Sequence, residues 1–198
     1  MTIRHVRGFC TWARLLAIAV ALVVTAGCAS LIGPPLYKPD KQGRARFDSH
    51  NVAALCFNTR GCRVEYANFY LINSPEDHLL PPRRADKILA QQIRGGFAGF
   101  RNFPTPAIVQ WRSSDGERRR AELDVSKVFR DQVYLHHVPP QDIRDRAFLI
   151  EPTILFVVDD REVSVYMSSY IPLRDSIDRG FMDPIGPYQI VRAFNQTY

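Results

Sequence analysis

The sequence predicts an α+β domain, a mostly antiparallel sheet of hairpins with one main helix packed on it. Three observations carry that expectation. Asp115-Gly116 sits between two strand-like runs, a strong hairpin signal. Asp159-Asp160-Arg161 likewise separates two Val-rich runs at 148–158 and 162–170. Residues 83–94 (RRADKILAQQIR) place Ile88, Leu89 and Ile93 on one face among strong helix formers, with Gly95-Gly96 as the stop signal. Hairpins outnumber crossover helices, which points to an antiparallel sheet rather than a doubly wound one.

The elements follow in order. Arg4, His5, Arg7 and Arg14 form a basic leader, and residues 15–24 (LLAIAVALVV) carry no charge. A positive leader, an apolar stretch of roughly 7–15 residues and small residues before a cut site make a secretory signal. The stretch is well short of the ~20 residues that span a bilayer as a helix. Thr25-Ala26-Gly27-Cys28 then resembles the lipobox of bacterial lipoproteins. That resemblance implies cleavage before Cys28 and acylation of its thiol and amino group. Ala29, rather than Asp, at the next position implies export to the outer membrane. Two or more acyl chains anchor stably, since each buried methylene contributes about 0.8 kcal/mol.

Three parts follow: a signal peptide at 1–27, a lipidated tether at 28–47 and a single α+β periplasmic domain at 48–198. The tether reading rests on Gly33-Pro34-Pro35 and Pro39, interleaved with Lys38, Lys41, Arg44 and Arg46. Those charges suit a solvated linker. The whole chain of 198 residues has a formal charge of +6, a balance that invites a nucleic-acid partner. Removing the leader deletes three arginines and no acid, which halves that surplus. Export then argues against nucleic acid, so none is expected as a partner.

Within the domain, 52–57 and 63–72 read as a hairpin whose bend is closed by Cys56 and Cys62. In an oxidising compartment these two are expected to form a disulfide. Cys-x5-Cys is not a familiar zinc spacing, and Cys-x-x-Cys is absent. Residues 107–112 and 118–125 flank the Asp-Gly turn, and Ala121, Leu123 and Val125 alternate with Glu122 and Asp124 as in a half-buried strand. A helical turn is expected at 126–130, a strand at 133–138 and a short helix at 140–144. Residues 172–187 are turn-rich, and a last strand is expected at 188–194.

No catalytic constellation emerges. There is no Gly-x-Ser-x-Gly elbow and no phosphate-cradling glycine loop, so no cofactor is expected. His136 and His137 are adjacent in a predicted strand, where neighbouring side chains point to opposite faces and do not share an ion. Asp159-Asp160 reads as turn chemistry rather than a catalytic pair. No metal site is expected.

Two clusters remain as candidate partner-binding surfaces. Arg118-Arg119-Arg120 puts Arg118 and Arg120 on one strand face and Arg119 on the other, with Trp111 and Arg112 across the hairpin. Phe97, Phe100 and Phe103 lie in a Gly-rich stretch, where they either plug the edge of the core or form an aromatic loop that anchors a partner.

The order of features after residue 100 is Trp111 with Ser and Asp-Gly, then the strand Glu122-Leu123-Asp124-Val125, then the Val-rich hairpin ending near Tyr166. It is similar to that of uncharacterised proteobacterial lipoproteins, a group that includes relatives regarded as immunity proteins against type VI secretion lipase toxins. The resemblance implies a non-enzymatic protein that binds a secreted toxin and occludes its active site. The expected partners are therefore membrane lipid, through acylated Cys28, and a protein, either a toxin or an envelope component. The alternatives are a structural or assembly lipoprotein of an envelope complex, and a hydrolase with a noncontiguous site using His136 or His137.

Overall fold

The computed structural model describes residues 39–83, 96–144, 150–174 and 188–198. It corrects the expected fold class. The protein is mostly β, 53% strand and 5% helical, with no helix of seven or more among the described residues. The main helix expected at 83–94 falls, from residue 84 onward, outside the described residues. Two sheets cover each other's apolar faces, so the sandwich needs no helix to close its core.

Among the described residues the strands are β1 (Ser49–Phe57), β2 (Arg60–Tyr66), β3 (Phe69–Asn73), β4 (Phe97–Arg101), β5 (Ala107–Arg112), β6 (Arg118–Leu123), β7 (Thr153–Asp159), β8 (Glu162–Tyr170) and β9 (Tyr188–Thr197). One sheet has five strands in the order β4-β1-β7-β8-β9, the other four in the order β3-β2-β5-β6. Every pairing is antiparallel except β1 with β7, which is parallel from Asn51↔Thr153 to Phe57↔Asp159.

The expected hairpin of 52–57 with 63–72 does not form. β1 and β2 belong to different sheets, joined through Asn58-Thr59, and the Cys56–Cys62 disulfide ties the sheets together at that corner (Cα–Cα 6.5 Å). Residues 63–72 instead fold on themselves as β2 and β3, turning at Ala67-Asn68 with φ of 53° and 64°. Positive φ at both central residues matches the two-residue turn whose twist suits a hairpin.

The Asp-Gly hairpin forms β5 and β6, with Arg112 opposite Arg118. Gly116, at φ +87°, occupies the left-handed position that this turn requires. Leu123 ends β6, and Asp124 then caps a single turn of helix, α1 (Val125–Val128), by accepting from the Ser126 N–H. Residues 133–138 make no regular strand beyond one bridge between Val133 and Arg46, and Pro140–Asp142 is one 3-10 turn.

The core lies between the sheets. Val52, Ile154, Phe156, Val158, Val163, Val165 and Met167 face Val64, Tyr66, Val109, Trp111, Ala121 and Leu123. A second cluster (Ala53, Phe57, Leu155, Val157 and Tyr166) occupies the other face of β1, β7 and β8. Burial on both faces explains the unbroken apolar run Ile154-Leu155-Phe156-Val157-Val158, which a one-sided strand would interrupt with polar residues.

All the described residues lie within the compact unit Leu36–Tyr198. Its packed part begins upstream of Asp48. Ala45 and Phe47, read as tether in the sequence, are buried, and the Phe47 N–H donates to the Gln132 carbonyl (2.9 Å). Gly96, read as a helix stop, is instead a close-approach point: a Cβ there would collide with the Val52 carbonyl oxygen.

Candidate functional site

The outer face of the four-stranded sheet is an arginine face. Its origin is the period-2 alternation of β6: Ala121 and Leu123 turn into the core, so Arg118 and Arg120 turn outward. Pairing then stacks other polar residues beside them. Arg60, Arg112 and Arg118 form one cross-strand row, and Arg63, Gln110 and Arg120 form a second. These rows line an open groove of about 370 Å³, with Asn73 and Glu76 on its rim.

Like charges set directly opposite destabilise a sheet, so the first row needs a counter-ion. Glu76 provides it. One of its carboxylate oxygens accepts from Arg118 Nη2 at 3.2 Å and from Arg112 Nη2 at 3.5 Å. The Arg118 charge, helped by the Arg112 hydrogen bond, holds the Glu76 carboxyl below the usual range.

Glu76 is delivered by the chain after β3, which folds back on β2. The Gly61 N–H donates to the Pro75 carbonyl (3.1 Å), Ser74 N–H to the Cys62 carbonyl (2.9 Å), and Cys62 N–H to Ser74 Oγ (2.9 Å). Gly61 sits at φ +54° in the register shift between Arg60 and Arg63, and a Cβ there would come within 2.7 Å of Glu76 Cγ. The missing side chain thus makes the notch through which Glu76 reaches the arginines.

The remaining arginines are less fully matched. Arg60 donates to the Asp77 carbonyl (3.1 Å) and Arg63 to Asn73 Oδ1 (3.2 Å), so neither meets a carboxylate among the described residues. The Arg63 guanidinium also lies 5.3 Å from the Tyr70 ring centroid. Arg120 pairs with Glu122 at 3.2 Å on its own strand. Arg119 points away from this face, to Ser113 Oγ (2.8 Å) and Asp115 (2.7 Å). Asp115 is lowered to about 2, chiefly by the hydrogen bond from Ser113.

The structure separates the other candidate residues from this face. Trp111 is only 3% exposed; its indole N–H donates to the Asp160 carbonyl (2.5 Å) and its ring meets Tyr198 edge-on, so it is a core residue. Phe100 packs against His50 and Tyr66, and Phe103 against Phe47 and Phe129. Phe97 alone of the three stays open, 43% exposed beside Phe69, which is 52% exposed, on edge strands of the two sheets. Cys28 lies outside the described residues.

Residues 50, 60, 63, 66, 69 and 76 were not singled out in the sequence. Arg60 and Arg63 carry no mark until pairing sets them beside Arg112 and Gln110, and Glu76 stands in a polar loop whose target lies far along the chain. His136 meets the carbonyls of Val138 (3.1 Å) and Gly43 (3.2 Å), and His137 is exposed. Among the described residues no group of three or more His, Cys, Asp or Glu is placed to hold a metal ion.

The class these features define is a two-sheet β protein with a basic, grooved outer face. No family model matches the chain, and neither the curated proteins nor the solved structures compared with it include a match.

Proposed function

We propose that this protein is an outer-membrane-anchored periplasmic lipoprotein that binds a protein partner through the arginine face of its four-stranded sheet. The carrying observation is the pair of cross-strand rows, Arg60-Arg112-Arg118 and Arg63-Gln110-Arg120, gathered on one grooved surface. Arginine forks recognise carboxylates geometrically, and arginine is enriched where interfaces concentrate their binding energy. The core does not need these side chains, because the opposite face of the same strands supplies it. The leader and Thr25-Ala26-Gly27-Cys28 support the anchor, with Cys28 acylated. A disulfide between Cys56 and Cys62 suits an oxidising compartment.

Within this class the sharper reading is an immunity protein that covers the active site of a secreted toxin. Its support is the lipobox and the similarity of feature order described above. The mechanism is steric: a rigid sheet face docks by charge complementarity and excludes substrate from the toxin.

Affinity capture from periplasmic extract, with a tagged copy of the full chain, tests this. One stoichiometric toxin-like partner supports immunity, whereas a set of envelope proteins favours an assembly role. Capture that leaves no partner above the untagged control overturns protein binding. Separately, Cys28→Ser should move the protein out of the membrane fraction, and unchanged fractionation overturns the anchor.

A further inference from the structure

We infer that Glu76 is a resident stand-in for the partner's own carboxylates: an extended acidic segment of the partner displaces Glu76 from Arg112 and Arg118 and continues along Arg63 and Arg120. The inference rests on the protein-binding reading and adds the chemistry of what is bound.

Four observations converge on it. First, Glu76, on the groove rim, makes the contact a carboxylate ligand would make, shared between two guanidiniums on neighbouring strands. Second, the contact is loosely held: the side chains of Glu76 and Arg118 are 63% and 73% exposed, and ion pairs so open to water contribute little. Releasing Glu76 therefore costs little, while the Gly61 and Cys62 backbone bonds that hold its segment to β2 can stay in place.

Third, the charge does not balance. Five outward guanidiniums line the face (Arg60, Arg63, Arg112, Arg118 and Arg120), against Glu76 and, in the next cross-strand row, Glu65 and the Glu122 paired with Arg120. Arg60 and Arg63 are held only by neutral oxygens among the described residues, leaving their charge available to an incoming anion. Fourth, Arg118 and Arg120 are alternate residues of one strand, about 7 Å apart. Alternate side chains of an extended peptide repeat at the same distance, so acidic residues two apart fall opposite both arginines. The open groove between the 73–76 rim and β6 admits such a chain.

The test uses the full mature chain and a fluorescein-labelled ten-residue peptide of alternating glutamate and serine, followed by anisotropy. Binding should weaken steeply with salt, as expected for exposed charges screened within about 10 Å at 0.1 M. Arg63→Glu with Arg120→Glu should weaken it by about tenfold or more, while Glu76→Gln should tighten it severalfold. All three positions are exposed, and thermal unfolding of each variant verifies the fold. If Glu76→Gln weakens binding or leaves it unchanged, the stand-in is wrong. If phosphatidylglycerol vesicles bind the wild type and the peptide does not, the face is a lipid surface and the inference fails.

Capture of the periplasmic partner with the same variants separates the two claims. A partner retained by wild type but indifferent to all three substitutions overturns this inference and leaves protein binding standing. No partner on wild type overturns the protein-binding reading itself.

Discussion

His50 Nε2 accepts a hydrogen bond from the Tyr66 hydroxyl at 3.0 Å, joining β1 of one sheet to β2 of the other inside the core. The opposite ring nitrogen, Nδ1, donates to Asn102 Oδ1 at 2.7 Å, and the Asn102 amide donates in turn to the Phe47 carbonyl (2.8 Å). Phe47, Phe100 and Phe103 close around the imidazole. This is a satisfied polar chain in an apolar setting, so each member is needed by the next.

Burial holds His50 below the ordinary histidine value of 6.5, against smaller opposing effects of Asn102 and the Glu151 charge. The folded state therefore refuses a proton that the unfolded chain accepts. Stability from His50 is present above about 6.5 and is lost as pH falls from there toward the lowered folded value. Tm measured from pH 8 to pH 5 should drop more steeply in wild type than in His50→Gln; parallel slopes would remove His50 as the cause.

Tyr66→Phe keeps the ring and leaves His50 Nε2 without its donor. Loss of a bond that strands a buried polar atom costs about 1–3 kcal/mol. Equilibrium denaturation should show that loss with an unchanged denaturant slope, which marks a stability effect rather than a change of fold.

Trp111 sits in the core and ties the β5–β6 and β7–β8 hairpins through Asp160, whose carboxylate also accepts from the Ser114 N–H (2.7 Å). Trp111→Phe should cost about 1 kcal/mol for the lost hydrogen bond, and Trp111→Ala about 3–5 kcal/mol for the cavity. Acidic-peptide binding by folded Trp111→Phe should match wild type; a specific loss of binding would instead place the indole in the interface.

The Cys56–Cys62 bond closes a short loop at the corner where the chain changes sheets. Replacing both cysteines by serine should lower unfolding free energy by about 2 kcal/mol, the loop-closure value for so short a loop. Reductant should reproduce the loss in wild type and have no effect on the double variant.

Gly96→Ala should destabilise the protein by about 1–3 kcal/mol, because the new methyl group drives β4 away from the Val52 carbonyl. A neutral substitution would show that this edge strand moves freely from β1.

Much of the local structure was legible in the chain. The Asp115-Gly116 turn, the Asp159-Asp160-Arg161 turn and the alternation of β6 were readable because hairpins are decided by residues a few positions apart. The β1–β7 pairing was not, since its partners are about a hundred residues apart and no local pattern specifies a parallel neighbour. The expected α+β class rested on one main helix at 83–94, which from residue 84 lies outside the described residues; among those described, two sheets close the core on each other without a helix. Phe97, Phe100 and Phe103 read alike in sequence, and only packing separates the exposed ring from the two inserted ones.

By itself, then, the sequence determined the turns at Asp115-Gly116 and Asp159-Asp160-Arg161, the alternation of β6, and that Arg118 and Arg120 share a face, all consequences of backbone geometry over a few residues. Only the tertiary structure decided that Arg60 and Arg63 join them, that Glu76 lies among them, and that Trp111 faces the core. Those are facts of sheet membership and register. One strand's partner is chosen by the burial of the whole core, and a shift of one residue in pairing would turn every one of these side chains to the opposite face.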